Sequence, residues 1–104
     1  MDYSSGDIEI RQTADFAAWF AALRDREASA RILVRIRRVS LGALSDVRAV
    51  GEGVLELRVH YGPGYRVYLV RRGTSLVILL AGGDKRTQAN DIGKARRLAR
   101  SLEE

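Results

Sequence analysis

The residues best suited to chemistry lie in a stretch of alternating side chains. From Val54 to Tyr61 the residues Leu55, Leu57, Val59 and Tyr61 fall on one face, with Glu56, Arg58 and His60 on the other. After Gly62-Pro63-Gly64, Tyr65, Val67 and Leu69 alternate with Arg66, Tyr68 and Val70, and the turn composition predicts a hairpin. A loop of just those turn residues pairs Tyr61 with Tyr65, Val59 with Val67 and Leu57 with Leu69, so that every apolar residue meets another. The same register sets His60 opposite Arg66 and Arg58 opposite Tyr68 on an open polar face, where cross-strand neighbours lie about 5 Å apart. Arginine forks match phosphate bidentately. His60 is the side chain whose ordinary pKa suits proton transfer near neutrality. The bland alternative for Arg58 and His60 is a strand face wetted by solvent.

Charge along the chain points to the same region. The formal net charge is +5, and residues 1–46 are balanced, with seven basic and seven acidic side chains. Residues 47–104 carry eleven basic and six acidic side chains, and 16 of the 18 basic residues are Arg. An arginine-rich basic half implies a polyanionic partner or simply a basic solvated surface.

The elements that must position these residues fit one domain spanning residues 1–104, a length at which one core is usual. Asp7 to Thr13 reads as a short strand, after which Thr13 offers an N-cap to a helix with Phe16, Trp19, Phe20 and Leu23 on its core side. A second helix buries Ala28, Ile32, Leu33, Ile36 and Val39 and turns Arg31, Arg35 and Arg38 outward, so the two form a hairpin. That arginine stripe is either a solvated face or a binding face. Gly42 to Asp46 ends the helix, and three strand signals follow, the last of them Ser75 to Ala81, apolar on both faces and ending at Gly82-Gly83-Asp84. A final helix starts near Thr87, read as its N-cap, and presents Ile92, Ala95, Leu98, Ala99 and Leu102 to the core. A helix start is also a site for phosphate.

Composition removes other classes. With no cysteine and one histidine, a disulfide framework is excluded and a zinc site is disfavoured. No apolar run approaches the ~18–20 residues of a spanning helix, and the N-terminal MDYSSGDIEI lacks the charged and apolar regions of a signal peptide. A cytoplasmic protein without membrane contact and without cofactors is expected.

Residues 51–95, and most specifically ELRVHYGPGYRVY (56–68) and GGDKRTQANDI (82–92), resemble the RelE/HigB-like toxins of type II toxin–antitoxin modules. The resemblance is nearest to the branch of phage-derived Gp49-like, or addiction-module killer, proteins of the RelE/ParE superfamily. It reaches upstream through Phe16, Trp19 and the helix bearing Arg31 and Arg35. It implies an α+β, RelE-like fold, with an N-terminal strand and helical hairpin on a twisted, mainly antiparallel sheet and a C-terminal helix. It also implies a metal-independent endoribonuclease that cleaves translated messenger RNA on the ribosome and is neutralised by a small helix-turn-helix antitoxin. That antitoxin would carry the complex to operator DNA.

By motif, the resemblance makes Arg66 the catalytic arginine and Lys85 and Arg86 the basic pair after the last strand. Cleavage of RNA by its own 2′-hydroxyl needs cations around the pentavalent phosphate, a base and an acid. Arg66, Arg58, Lys85 and Arg86 answer the first need and His60 is the candidate acid or base, while Tyr68 donates a hydrogen bond or stacks on a base. Thr87, Gln88, Arg48, Arg35 and Arg38 complete the expected RNA contacts. Two positions depart from the family: the C-terminal tyrosine of RelE corresponds to Ile92, and GALSD (42–46) stands where GNFGD is usual. The alternatives are a ParE-like toxin that poisons DNA gyrase by contact, and an inactive toxin that serves only operon control.

Overall fold

Strands that are apolar on both faces need cover on both sides, and the chain supplies it with two helices after the first strand and one after the last. In the computed structural model, residues 7–44 and 46–102 are described; the first residues read for a leader, and Ser45 of the GALSD turn, lie outside them. The order is β1 (Glu9–Gln12), α1 (Ala14–Ala21), α2 (Arg26–Ser40), β2 (Val47–Ala49), β3 (Leu55–Val59), β4 (Tyr65–Arg72) and β5 (Leu76–Gly83). A single 3-10 turn (Lys85–Thr87) then leads into α3 (Gln88–Leu102). The strands form one sheet in the order β1-β5-β4-β3-β2. β1 runs parallel to β5 and the other pairs are antiparallel, so the sheet is mixed.

On one face, Phe16 of α1 and Ile32, Ile36 and Val39 of α2 bury against Leu57, Val59, Val67, Leu69, Val77 and Leu79. On the other, Ala95 and Ala99 of α3 close over Tyr68, Val70, Leu80 and Ala81. The small alanines let the helix approach the sheet. Trp19, Phe20 and Leu33 pack at the margin of the first core, and Leu102, expected inside, is exposed in the last turn of α3. No helix of the described residues is long and apolar enough to cross a membrane.

Caps set the helix starts. Thr13 Oγ1 accepts from Phe16 N at 3.0 Å and donates to the Leu80 carbonyl at 2.6 Å, so the cap of α1 is tied to β5. The tie falls on a bulge: β4 and β5 pair Tyr68 with Ala81 but Leu69 with Leu79, which leaves Leu80 over. Leu80 and Ala81 thereby both face α3. Beyond the bulge, Gly82 lies under the Trp19 ring and Gly83 against Asp91 and Thr87.

The hairpin register differs from the expected one. Val59 pairs with Tyr65, Leu57 with Val67 and Leu55 with Leu69, so Arg58 lies opposite Arg66 and Glu56 opposite Tyr68. The loop is residues 60–64, and His60 faces no strand partner. Tyr61 is the cause. Its hydroxyl donates to Asp25 Oδ2 at 2.9 Å, at the N-cap of α2, and Arg31 lies 4.7 Å from its ring centroid, so it leaves the strand for the helix. A slip of two residues keeps every side chain on its expected face, which is why the core survives the change. The short β2 carries no periodic signal and was not expected from the sequence. The cap at the last helix is also reassigned: Asp84 is the N-cap and Thr87 the third residue of its capping box.

The glycines of β5 make a sharp test. A Cβ on Gly82 would sit 2.2 Å from the Trp19 ring, whereas one on Gly93 inside α3 would meet only the flexible Arg97 side chain at 3.5 Å. Gly82→Ala should therefore lower stability by about 1–3 kcal/mol. Gly93→Ala should raise it by about 0.5–1 kcal/mol. Urea midpoints of both variants check the opposite signs.

Candidate functional site

Glu56, the first polar residue of the alternating β3 face, is fully buried, although no role was expected for it. The sheet places Arg48 of β2 and Tyr68 of β4 directly across from it on either side. Its Oε2 accepts from Tyr68 Oη at 3.0 Å and Gln88 Nε2 at 2.8 Å, and lies 3.7 Å from Arg66 Nε. Its Oε1 accepts from Arg58 Nε at 3.3 Å and lies 3.7 Å from Arg48 Nη2. One carboxylate thus faces guanidinium groups from β2, β3 and β4 and an amide from the first residue of α3. Burial pushes the Glu56 carboxyl up, but the hydrogen bonds from Gln88, Tyr68 and Arg58 and the charge of Arg48 outweigh it, leaving the pKa below the ordinary value. Burial first, then the charge of Glu56, raises the Tyr68 phenol well above its ordinary range.

Arg66 is enclosed, with 9% of its side chain exposed. Its Nη1 donates to the Gly64 carbonyl at 2.7 Å, and its buried Nε has no hydrogen-bond partner. Gly64 has a φ of +81°, and a Cβ there would lie 3.2 Å from Arg66 Nη1 and 3.7 Å from Lys85 Cβ. Glycine therefore lets the Gly-Pro-Gly loop, Arg66 and Lys85 come together. Arg58 and Arg66 are directly opposed like charges, a pairing that Glu56 between them offsets.

The structure gathers Arg48, Arg58, Arg66, Tyr68 and Gln88 around Glu56 and sets Lys85 against the Gly64 turn that Arg66 also meets. Two of these differ from expectation. Tyr68 is fully buried beneath α3, so the face is not open and its ring is unavailable for stacking, while Gln88 is committed to Glu56. Thr87 Oγ1 is bound to Asp91 Oδ2 at 2.5 Å, and Arg86 is largely exposed with Nη2 3.4 Å from Asp84.

His60 stands apart from this set. Its Nε2 lies 2.8 Å from Asp46 Oδ2, and the ring lines a cleft of about 390 Å³ with Val59 of β3 and Arg31, Val34, Arg35 and Arg38 of α2. Arg35 Nη1 donates to the Arg58 carbonyl at 2.5 Å, joining the cleft to β3. The site is therefore an arginine cluster and a cleft of mixed charge, in which Glu27 pairs with Arg31 at 2.9 Å and Asp46 lies 4.0 Å from Arg35, and the two meet at the end of β3. The missed residue, Glu56, had one sequence signal: an acid at the head of a face otherwise made of Arg58, His60, Arg66 and Tyr68.

The two shifted groups give stability opposite pH edges. A carboxyl held below its unfolded value of 4.5 stabilises the fold at higher pH, and that contribution is lost as pH falls through the depressed value. A phenol held above its unfolded value of 10.0 stabilises the fold at lower pH, and stability declines as pH rises above 10.0, where the unfolded chain releases the proton. Tyr68→Phe should make the alkaline edge shallower and remove a late-ionising phenol, measured by urea unfolding and phenolate absorbance.

A Haemophilus influenzae protein described as uncharacterized is 45% identical over 95 residues, covering 91% of this chain and 96% of the relative. No solved structure matches the chain. The model of the phage-derived Gp49-like protein family matches residues 18–100, a span that takes in the Glu56 cluster, the α2 cleft and most of α3, and the chain belongs to that family.

Proposed function

We propose that this protein is the toxin of a type II toxin–antitoxin module and a metal-independent endoribonuclease acting in the cytoplasm on translated messenger RNA at the ribosome. Membership of the Gp49-like family is compatible with a toxin. The observation that carries the ribonuclease reading is the set of Arg48, Arg58 and Arg66 held around one carboxylate, with Lys85 against the same loop as Arg66. Its positive charge exceeds its negative charge, and guanidinium forks bind phosphate oxygens.

In this reading the scissile phosphate sits at the end of β3 where the two regions meet, with Arg58, Arg66 and Lys85 on one side and His60 on the other. The RNA 2′-oxygen attacks phosphorus, the 5′-oxygen leaves, and the cations stabilise the added charge on the phosphoryl oxygens. Neutral His60 takes the 2′-hydroxyl proton while water protonates the leaving 5′-oxygen, or protonated His60 gives that proton while water takes the one from the 2′-hydroxyl; Asp46 orients the ring and supports the imidazolium. The strand then passes from the Glu56 cluster across the end of β3 to the cleft, where Arg35 and Arg38 meet its backbone. A helix-turn-helix antitoxin neutralises the toxin and links it to operator DNA.

Induced expression of the wild type, Arg66→Ala and His60→Ala, with growth and transcript 5′ ends followed, tests this. The wild type should arrest growth and produce new 5′ ends in translated transcripts. Arg66→Ala should reduce cleavage by about 100-fold at equal soluble expression, the size expected for removing one group that stabilises transition-state charge. Arrest with intact transcripts and DNA damage would replace this reading with gyrase poisoning, and no arrest would leave an inactive toxin.

A further inference from the structure

We infer that Glu56 is a positioning residue, whose buried negative charge holds Arg66 and Arg58 in the orientation in which they receive a phosphodiester. Glu56 has no access to solvent or substrate. Its contacts divide by oxygen. Oε2 is fastened from within by Tyr68 Oη at 3.0 Å and Gln88 Nε2 at 2.8 Å, which fix the carboxylate to the central strand and to the start of α3. With that end immobile, Oε1 is left to Arg58 Nε at 3.3 Å and Arg48 Nη2 at 3.7 Å, whose side chains are part-exposed and exposed.

Arg66 shows the same logic from the other side. Its Nη1 is occupied by the Gly64 carbonyl, and its buried Nε has no hydrogen-bond partner and faces Oε2 at 3.7 Å. A guanidinium so enclosed, directly opposite a second one, is kept in place by the charge of Glu56. Counting Arg48, Arg58, Arg66 and Glu56, positive charge remains in excess for an anionic ligand.

Positioning and bulk charge predict opposite signs. Glu56→Gln keeps the size of the side chain and removes one negative charge. If charge alone mattered, the more basic variant would bind RNA more tightly. If Glu56 positions, the variant binds about tenfold more weakly, as the loss of one charged hydrogen bond implies. The probe is a fluorescent single-stranded oligonucleotide with 2′-O-methyl groups, which cannot be cleaved, measured by anisotropy at fixed salt.

A second readout is independent of RNA. The Nε–H signals of Arg66 and Arg58 in ¹⁵N spectra should be ordered in the wild type and lost or averaged in Glu56→Gln while the rest of the spectrum persists. Should that variant fail to fold, Glu56→Asp retains the charge but withdraws it, and the same signals should broaden. Unchanged arginine signals in the folded variant, or tighter oligonucleotide binding by it, would overturn the inference. The RNA arm rests on the ribonuclease reading: ordered arginines lost in the variant, with no binding even by the wild type, would sink that reading and leave the positioning role standing.

Discussion

A carboxylate fully enclosed by protein is costly unless its charge is answered, and the burial of Glu56 is the constraint around which this structure is arranged. The answer draws on every nearby element: Arg48 from β2, Arg58 from β3, Arg66 and Tyr68 from β4, and Gln88 from α3. Removing one partner would leave a charge buried and under-compensated, so the strand register and the docking of α3 are coupled to the electrostatics of the site. The cluster also explains how Arg58 and Arg66 can stand directly opposite each other in a hairpin.

The remaining architecture brings those elements together. The bulge at Leu80 turns Leu80 and Ala81 both toward α3 and sets Gly82 and Gly83 against Trp19 and Asp91, which closes both faces of the sheet at the end nearest the site. Thr13 fastens α1 to the bulged residue through the Leu80 carbonyl. The capping box of Asp84 and Thr87 then starts α3 so that Gln88, its first residue, reaches Glu56. The motif GGDKRTQ thus makes a connection between sheet and helix, in which the exposed Arg86 side chain also reaches the capping Asp84.

Much of the fold was legible because its signals are local. The 3.6-residue pattern of Phe16, Ile32 and Ile36, the alternation of Leu55 to Val59, and the doubly apolar run before Gly82 each determine which side of an element must be buried. The register of the hairpin was not legible, since a slip of two residues preserves every face and the deciding interaction is Tyr61 with Asp25 and Arg31, distant in sequence. For the same reason His60 moved from the predicted patch to Asp46 and the α2 cleft.

What the sequence alone determined is the membership of the faces: Arg58 and Arg66 with Glu56 and Tyr68, apart from Leu57, Val67 and Leu69. Periodicity decides this, because side chains in a strand alternate regardless of which residues they later meet. Only the tertiary structure decided which of those polar residues became the interior anchor and which the outward cations. That depends on where α3 lies, and its cover over Tyr68 and Glu56 follows from small residues at Ala95 and Ala99 and from the Gln88 hydrogen bond, contacts between segments that no local pattern encodes.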